Sequence, residues 1–183
     1  MEKPCDLLPS SIELSNANDT LNQRAILKSL GKKFDLDKYF CGINHPDISC
    51  WLLSTKKRGI SKRNIINYVE QNIADPTSKL YGFYVEDRLC GTVRLHGMNS
   101  KYAHIGVVIF DETLWGKSWG SCIISEVCNS AFLSLKIEKV IAGIDVKNMA
   151  SIKAFTKAGF VQIPNVIKQY NKGEAVIFEK RPI

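Results

Sequence analysis

The sequence has no apolar run approaching the ~20 residues of a membrane span. Its opening, MEKPCDLLPS, lacks the apolar core of a secretion signal. Together these absences point to a cytoplasmic protein that does not enter a membrane. No Cys-x-x-Cys pair occurs among the six cysteines Cys5, Cys41, Cys50, Cys90, Cys122 and Cys128. They read as free thiols that pack as small hydrophobes. There is no zinc finger, no metal-ligand spacing and no RNA-binding aromatic signature, which argues against a metal or a nucleic-acid partner. Repeats and low-complexity linkers are also missing. At 183 residues the chain is expected to form a single domain, 1–183, because it is too short for two comfortable cores.

What is present is ordinary globular material, with 45% hydrophobic and 23% charged residues. The net charge of +7 favours anionic partners such as nucleotides and phosphorylated metabolites. Its densest basic patch is Lys56-Lys57-Arg58 with Lys62-Arg63, which reads equally as a solvated face or a docking surface. A homodimer is compatible with the sequence.

Periodicity divides the chain as follows. Residues 11–14 read as a short strand and 20–30 as a helix ended by Gly31. A helix falls within 35–53, followed by the turn signature Asn44-His45-Pro46-Asp47. Ser61 caps the next helix, which Asp75-Pro76-Thr77 stop. Strands 80–85, 89–96 and 101–110 are joined by short turns and so form an antiparallel meander. A helix carrying Ile123, Ile124, Val127, Cys128, Ala131, Phe132 and Leu135 on one face comes next. Then come a strand over 139–146, a helix over 148–158 capped by Asn148 and stopped by Gly159, and a closing hairpin around Asn171-Lys172-Gly173. This order predicts a mixed α/β layer fold.

Residues 104–121, HIGVVIFDETLWGKSWGS, are the centre of the pattern. A strand runs into a loop of small residues, Gly116, Ser118, Gly120 and Ser121, and then into a helix. A helix start offers N–H groups without partners and the positive end of the dipole, so such a loop suits a phosphate. The stretch also reads as a plain strand-to-helix turn. A nucleotide-triphosphate P-loop is a third reading, since Gly116-Lys117-Ser118 is its ending, but that motif needs glycine where Asp111 stands.

Two segments resemble the GNAT acetyltransferase superfamily. Trp115-Gly116-Lys117-Ser118-Trp119-Gly120-Ser121 is similar to its pyrophosphate loop, Gln/Arg-x-x-Gly-x-Gly/Ala, with Gly120 in the last small position. Ser118 replaces the first glycine, and Trp115 replaces Gln or Arg, as in subfamilies with a WGKGY-like loop. Asn148 to Phe160 resembles the family's N-x-x-S…Y-x-K-x-G-F segment. The likeness spans about residues 35–180 and leaves 1–34 without a role. It implies a mixed α/β, mostly antiparallel twisted sheet flanked by helices, with a splayed strand pair that binds acetyl-CoA and no metal.

The resemblance further implies the site. Backbone groups of Val108, Ile109 and Phe110 would pair with the pantetheine arm. Trp115 to Ser121, with Asn148, Ser151, Phe155 and Lys157, would complete the cofactor site. The family's tyrosine acid is replaced here by Phe155, and Ser151 is the substitute. His104 stands where many relatives carry a glutamate near the acceptor amine, and its ordinary pKa of ~6.5 suits a general base. Glu112 is the alternative base, with His96 behind it. Asn44 to Ser49 resembles the branch holding ribosomal-protein N-terminal acetyltransferases and the pseudaminic-acid pathway amino-sugar acetyltransferase. The expected activity is transfer of acetyl from acetyl-CoA to a primary amine, the favoured acceptor being an amino sugar on a nucleotide. A protein N-terminus is the rival acceptor, and a catalytically silent acyl-CoA-binding module is the rival of another class.

Overall fold

The computed structural model describes residues 3–16, 18, 23–52, 59–170 and 173–182. A single helical turn, α1 (Pro4–Leu7), precedes strands β1 (Ser11–Leu14) and β2 (Ala25–Ser29). Helices α2 (Leu36–Ile43), α3 (Pro46–Ser49) and α4 (Lys62–Ala74) lead into the meander β3 (Lys79–Val85), β4 (Arg88–His96) and β5 (Tyr102–Ile109). After a 3-10 turn at Glu112–Leu114 come α5 (Trp119–Leu135), β6 (Lys139–Asp145), α6 (Met149–Lys157), β7 (Val161–Tyr170) and β8 (Gly173–Lys180).

The strands form one eight-stranded sheet in the order β1-β2-β3-β4-β5-β6-β8-β7. Every pairing is antiparallel except β5 with β6. Local chemistry sets the connections. Glu86 and Asp87 both take positive φ, the backbone twist a two-residue hairpin needs. Ser61 and Asn64 cap α4 reciprocally, each side chain accepting from the other's backbone N–H. Pro46 opens α3 at a position where its missing N–H costs nothing, so the turn signature expected at 44–47 is also a helix start.

The sheet is covered on both faces. Trp119, Ile123, Ile124, Val127, Cys128 and Ala131 of α5 pack with Ile105 on one face. Tyr39, Ile43, Ile65 and Val69 of α2 and α4 pack with Leu80, Leu89 and Phe110 on the other. Helix α2 reaches Phe110 because residue 42 is glycine. A Cβ there would lie 2.4 Å from the Phe110 ring.

One expected element is corrected. The helix predicted over 20–30 is replaced by strand β2, paired with β3 from Ala25↔Val85 to Ser29↔Tyr81. Ala25, Ile26 and Leu27 are all buried, so the strand shows no alternation to read. Residues 20–22 of that prediction, and most of the hairpin turn at 171–173, lie outside the described residues.

Candidate active site

Strands β5 and β6 touch over only three residue pairs, Tyr102↔Lys139, Ala103↔Val140 and His104↔Ile141. Beyond them β5 stays with β4 and β6 stays with β8, so the two strands diverge. The V they leave belongs to a cleft of about 820 Å³. Its walls are β5 from Ile105 to Ile109, β6 from Gly143 to Asp145, the loop before α5, the start of α6, and Asp47, Ile48, Trp51 and Leu52.

The register decides which backbone groups face this gap. The Phe110 N–H donates to the Cys90 carbonyl at 2.9 Å. Antiparallel pairing alternates, so Val108, opposite Thr92, also turns its polar backbone toward β4. Ile105, Val107 and Ile109 point the other way, into the V. The Ile109 carbonyl already accepts from the Trp115 indole at 2.8 Å. The N–H and C=O of Val107 and the N–H of Ile109 are thus the groups available for an added strand. This moves the expected pairing on Val108, Ile109 and Phe110 by one residue. Phe110 itself is buried against α2 and does not line the cleft.

The loop before α5 bends tightly at two places, Gly116 with φ +74° and Ser118 with φ +65°. A left-handed serine is strained by roughly 1–2 kcal/mol. Its side chain does not cap the helix but accepts from Lys157 Nζ at 2.7 Å. The first α-helical bond inside α5 is Cys122 N–H to Ser118 O, so the N–H groups of Trp119, Gly120 and Ser121 have no intrahelical acceptor. Free N–H groups, the dipole and the Lys157 ammonium converge on one spot, an arrangement built for an anion. Gly120 lies beside α6, where a Cβ would meet the Ala154 Cβ at 3.4 Å. Lys117 is exposed and absent from the cleft wall; its carbonyl instead accepts from Asn16.

Along α6, the Asn148 side chain accepts the Ser151 N–H at 3.0 Å and so caps the helix. Asn148, Ser151, Phe155 and Lys157 all line the cleft. Phe155 is buried edge-on against Phe160, with ring centroids 5.0 Å apart, and presents only hydrocarbon. Trp119 is 1% exposed and also lines the cleft, yet among the described residues its indole N–H has no acceptor. An unpartnered buried donor costs about 1–3 kcal/mol.

His104 ends the paired part of β5, at the vertex of the V. By alternation its ring and Gly106 face the α2–α4 side of the sheet. Gly106 lines the cleft, and a Cβ built there would meet nothing within 4 Å. His104 itself is not among the residues that line the cleft; the open position over Gly106 lies two residues further along the same face of β5. Burial holds the His104 pKa below its ordinary value, with help from Lys168. The ring stacks on His96, whose pKa is pushed down to about 4 by burial, then by Arg94 and His104. Glu112 is exposed on the 3-10 turn, about 20 Å or more along the strand from the vertex at ~3.3 Å per residue. The structure does not bring it to the cleft.

The sequence reading missed Val107 and the wall formed by Asp47, Ile48, Trp51 and Leu52. Only the Asn44-to-Ser49 motif signalled that wall. Asn44 clasps the segment by donating to Ile60 O at 2.8 Å and accepting from Ile60 N at 2.7 Å. Lys56, Lys57 and Arg58 of the basic patch lie outside the described residues, and Lys62 is paired with Asp37.

The acetyltransferase (GNAT) domain family matches residues 24–161. No curated protein matches the chain. Among solved structures, it is similar to spermidine N-acetyltransferase from Vibrio cholerae in complex with CoA and spermine. There the TM-score is 0.73 at 16% identity, over 86% of this chain and 95% of that one. It is also similar to the aminoglycoside acetyltransferase AAC(6')-Ib in complex with coenzyme A. That match has a TM-score of 0.71 at 15% identity, over 85% of this chain and 93% of that one. A probable acetyltransferase gives a TM-score of 0.74 at 21% identity, over 88% and 95%.

Proposed function

The chain belongs to the GNAT acetyltransferase family, and on that footing we propose that it acetylates the primary amine of an amino sugar carried on a nucleotide. The co-substrate is acetyl-CoA, which supplies an activated acyl thioester. The residues present suit it. The V between β5 and β6 offers unpaired backbone at Val107, and the α5 N-terminus with Lys157 offers an anion site. That pairing of a strand gap with a helix start is the observation that carries the acetyl-CoA part of the reading.

Val107 adds hydrogen bonds along the pantetheine arm, in the manner of an extra strand. The N–H groups of Trp119, Gly120 and Ser121, with Lys157, hold the pyrophosphate. The space over Gly106 admits the acceptor. His104 is neutral at physiological pH and takes the proton that the amine nitrogen loses as it bonds to the acyl carbon. Ser151, rather than Phe155, supplies a hydroxyl hydrogen bond to the sulfur as the C–S bond breaks. Glu112, exposed on the turn beyond β5, is given neither task in this reading.

Three considerations favour the acceptor. The net charge of +7 suits a diphosphate-bearing substrate and opposes polycations. The structural neighbours are named for amine acceptors, and one of these, an aminoglycoside, is itself built of amino sugars; it supports the sugar and not the diphosphate, since like spermidine it is a polycation. The Asn44-to-Ser49 motif resembles the branch that includes amino-sugar acetyltransferases. That branch also holds protein N-terminal acetyltransferases, so a panel of acceptors decides. Thiol release is measured with amino-sugar nucleotides, N-terminal peptides and polyamines. Turnover of a nucleotide-linked amino sugar supports the proposal; robust peptide acetylation with none on any amino-sugar nucleotide overturns it. No release with any amine would favour a silent acyl-CoA-binding module.

A further inference from the structure

His96 closes β4 directly opposite His104. Their rings stack with centroids 5.3 Å apart and planes 22° from parallel. Tyr102 meets the His104 ring edge-on at 5.4 Å and 81°. Gly97 turns the chain out of β4 with φ +59°, and a Cβ there would make only ordinary contact with His104 Cδ2, at 3.5 Å. Among the described residues neither imidazole has a hydrogen-bond or ion-pair partner. A working histidine is ordinarily oriented by a hydrogen bond from its other ring nitrogen. Here aromatic contact replaces that bond.

We propose that His96 is a positioning residue: its ring backs His104, fixes the imidazole plane at the vertex of the cleft and covers one side of it from water. The inference rests on the reading of His104 as the base.

The charged surroundings agree. Arg94 on β4 and Lys168 on β7 disfavour protonation of His96 and His104 respectively, while Asp75, after α4, favours protonation of His96. No carboxylate lies within ion-pair distance of either ring among the described residues. A protonated His104 is therefore never trapped by a counter-ion, and it returns its proton to solvent between turnovers. His96 remains neutral beside it, so the stacked pair carries at most one charge.

The chain has three histidines, so ring titration by NMR resolves each one once single variants assign the signals. Wild-type protein, His96→Ala, His96→Phe and His104→Ala are compared, with melting temperature as the check on folding. In His96→Ala the His104 midpoint rises toward ~6.5 as water reaches the ring. In His96→Phe, which keeps the stack, it stays at the wild-type position. With a nucleotide-linked amino sugar as acceptor, His96→Ala lowers turnover about 10-fold through lost orientation, with KM for acetyl-CoA unchanged, and Phe restores most of it. A His104 midpoint that does not move in His96→Ala overturns the inference. If His104→Ala keeps wild-type turnover and its acid limb, the base reading falls instead, and with it any catalytic meaning of the stack.

Discussion

The indole N–H of Trp115 donates to the carbonyl of Ile109 at 2.8 Å, tying the loop that opens α5 back onto the strand that lines the cleft. The bond closes one of the backbone positions β5 offers to a ligand. It also sets where the loop starts, before the bends at Gly116 and Ser118. A residue that stands where the family pattern has Gln or Arg is thus a brace.

Trp115→Phe keeps the ring and removes the donor. A hydrogen bond of this kind is worth about 0.5–1.5 kcal/mol, so the dissociation constant of acetyl-CoA should rise by roughly 2- to 10-fold. Calorimetric titration checks this. An unchanged constant would mean that the loop holds its shape without the brace.

Gly120 separates two effects in one position. A Cβ there meets the Ala154 Cβ at 3.4 Å, a contact α6 accommodates with a small adjustment. Gly120→Ala should therefore bind acetyl-CoA almost normally. Gly120→Glu puts a carboxylate among the free N–H groups and should weaken binding by about 100-fold or more, while melting within a few degrees of wild type. Normal affinity in the glutamate variant would remove the pyrophosphate from this loop.

Much of this was legible in the chain because the signals are local. The small residues from Gly116 to Ser121 and the apolar face from Ile123 to Ala131 lie within a few turns of each other. The Asn148 cap and Gly159 stop are similarly close. What was hidden depends on partners far away in sequence. Whether Val107 or Val108 offers its backbone to a ligand is fixed by Cys90, through the register of β4 on β5. Strand β2 reads as a helix in the sequence because burial of Ala25, Ile26 and Leu27 alike erases its alternation. Glu112 is close to His104 along the chain, but an extended strand carries it past the end of β5 and off the cleft wall.

Ser151 and Asn148 should part company when mutated. The cap is made by the Asn148 carboxamide oxygen and the Ser151 backbone N–H, so the Ser151 hydroxyl is not needed for it. Ser151→Ala should preserve the melting temperature and lower turnover by about 10- to 100-fold if the hydroxyl serves the leaving sulfur. Asn148→Ala should instead cost ~1 kcal/mol of stability through the lost cap. Full turnover in Ser151→Ala would leave that serine a structural residue.

Acid stability provides a test that needs no substrate. The folded chain holds His96 at a pKa of about 4, while the unfolded chain takes up a proton near the ordinary value of 6.5. Above pH ~6.5 neither state is protonated and the residue costs nothing. As the pH falls from there toward about 4 the unfolded state binds a proton that the folded state refuses, so stability declines. Below about 4 the loss levels off. His104, also shifted down, acts in the same direction. Partial solvent access reduces the full linkage value, leaving ~1–2 kcal/mol for His96. The carboxylates fall in a separate window. Asp75, held down by hydrogen bonds from Thr77, and Glu179, held down by Lys139, stabilise the fold above their ordinary values and lose that contribution only below about pH 4.5. Urea unfolding between pH 6.5 and 4.5 therefore isolates the histidines. His96→Phe should flatten the decline by ~1 kcal/mol while keeping the ring stack. A variant that loses stability across this interval as steeply as wild type would show that the His96 ring is open to protons in the folded chain.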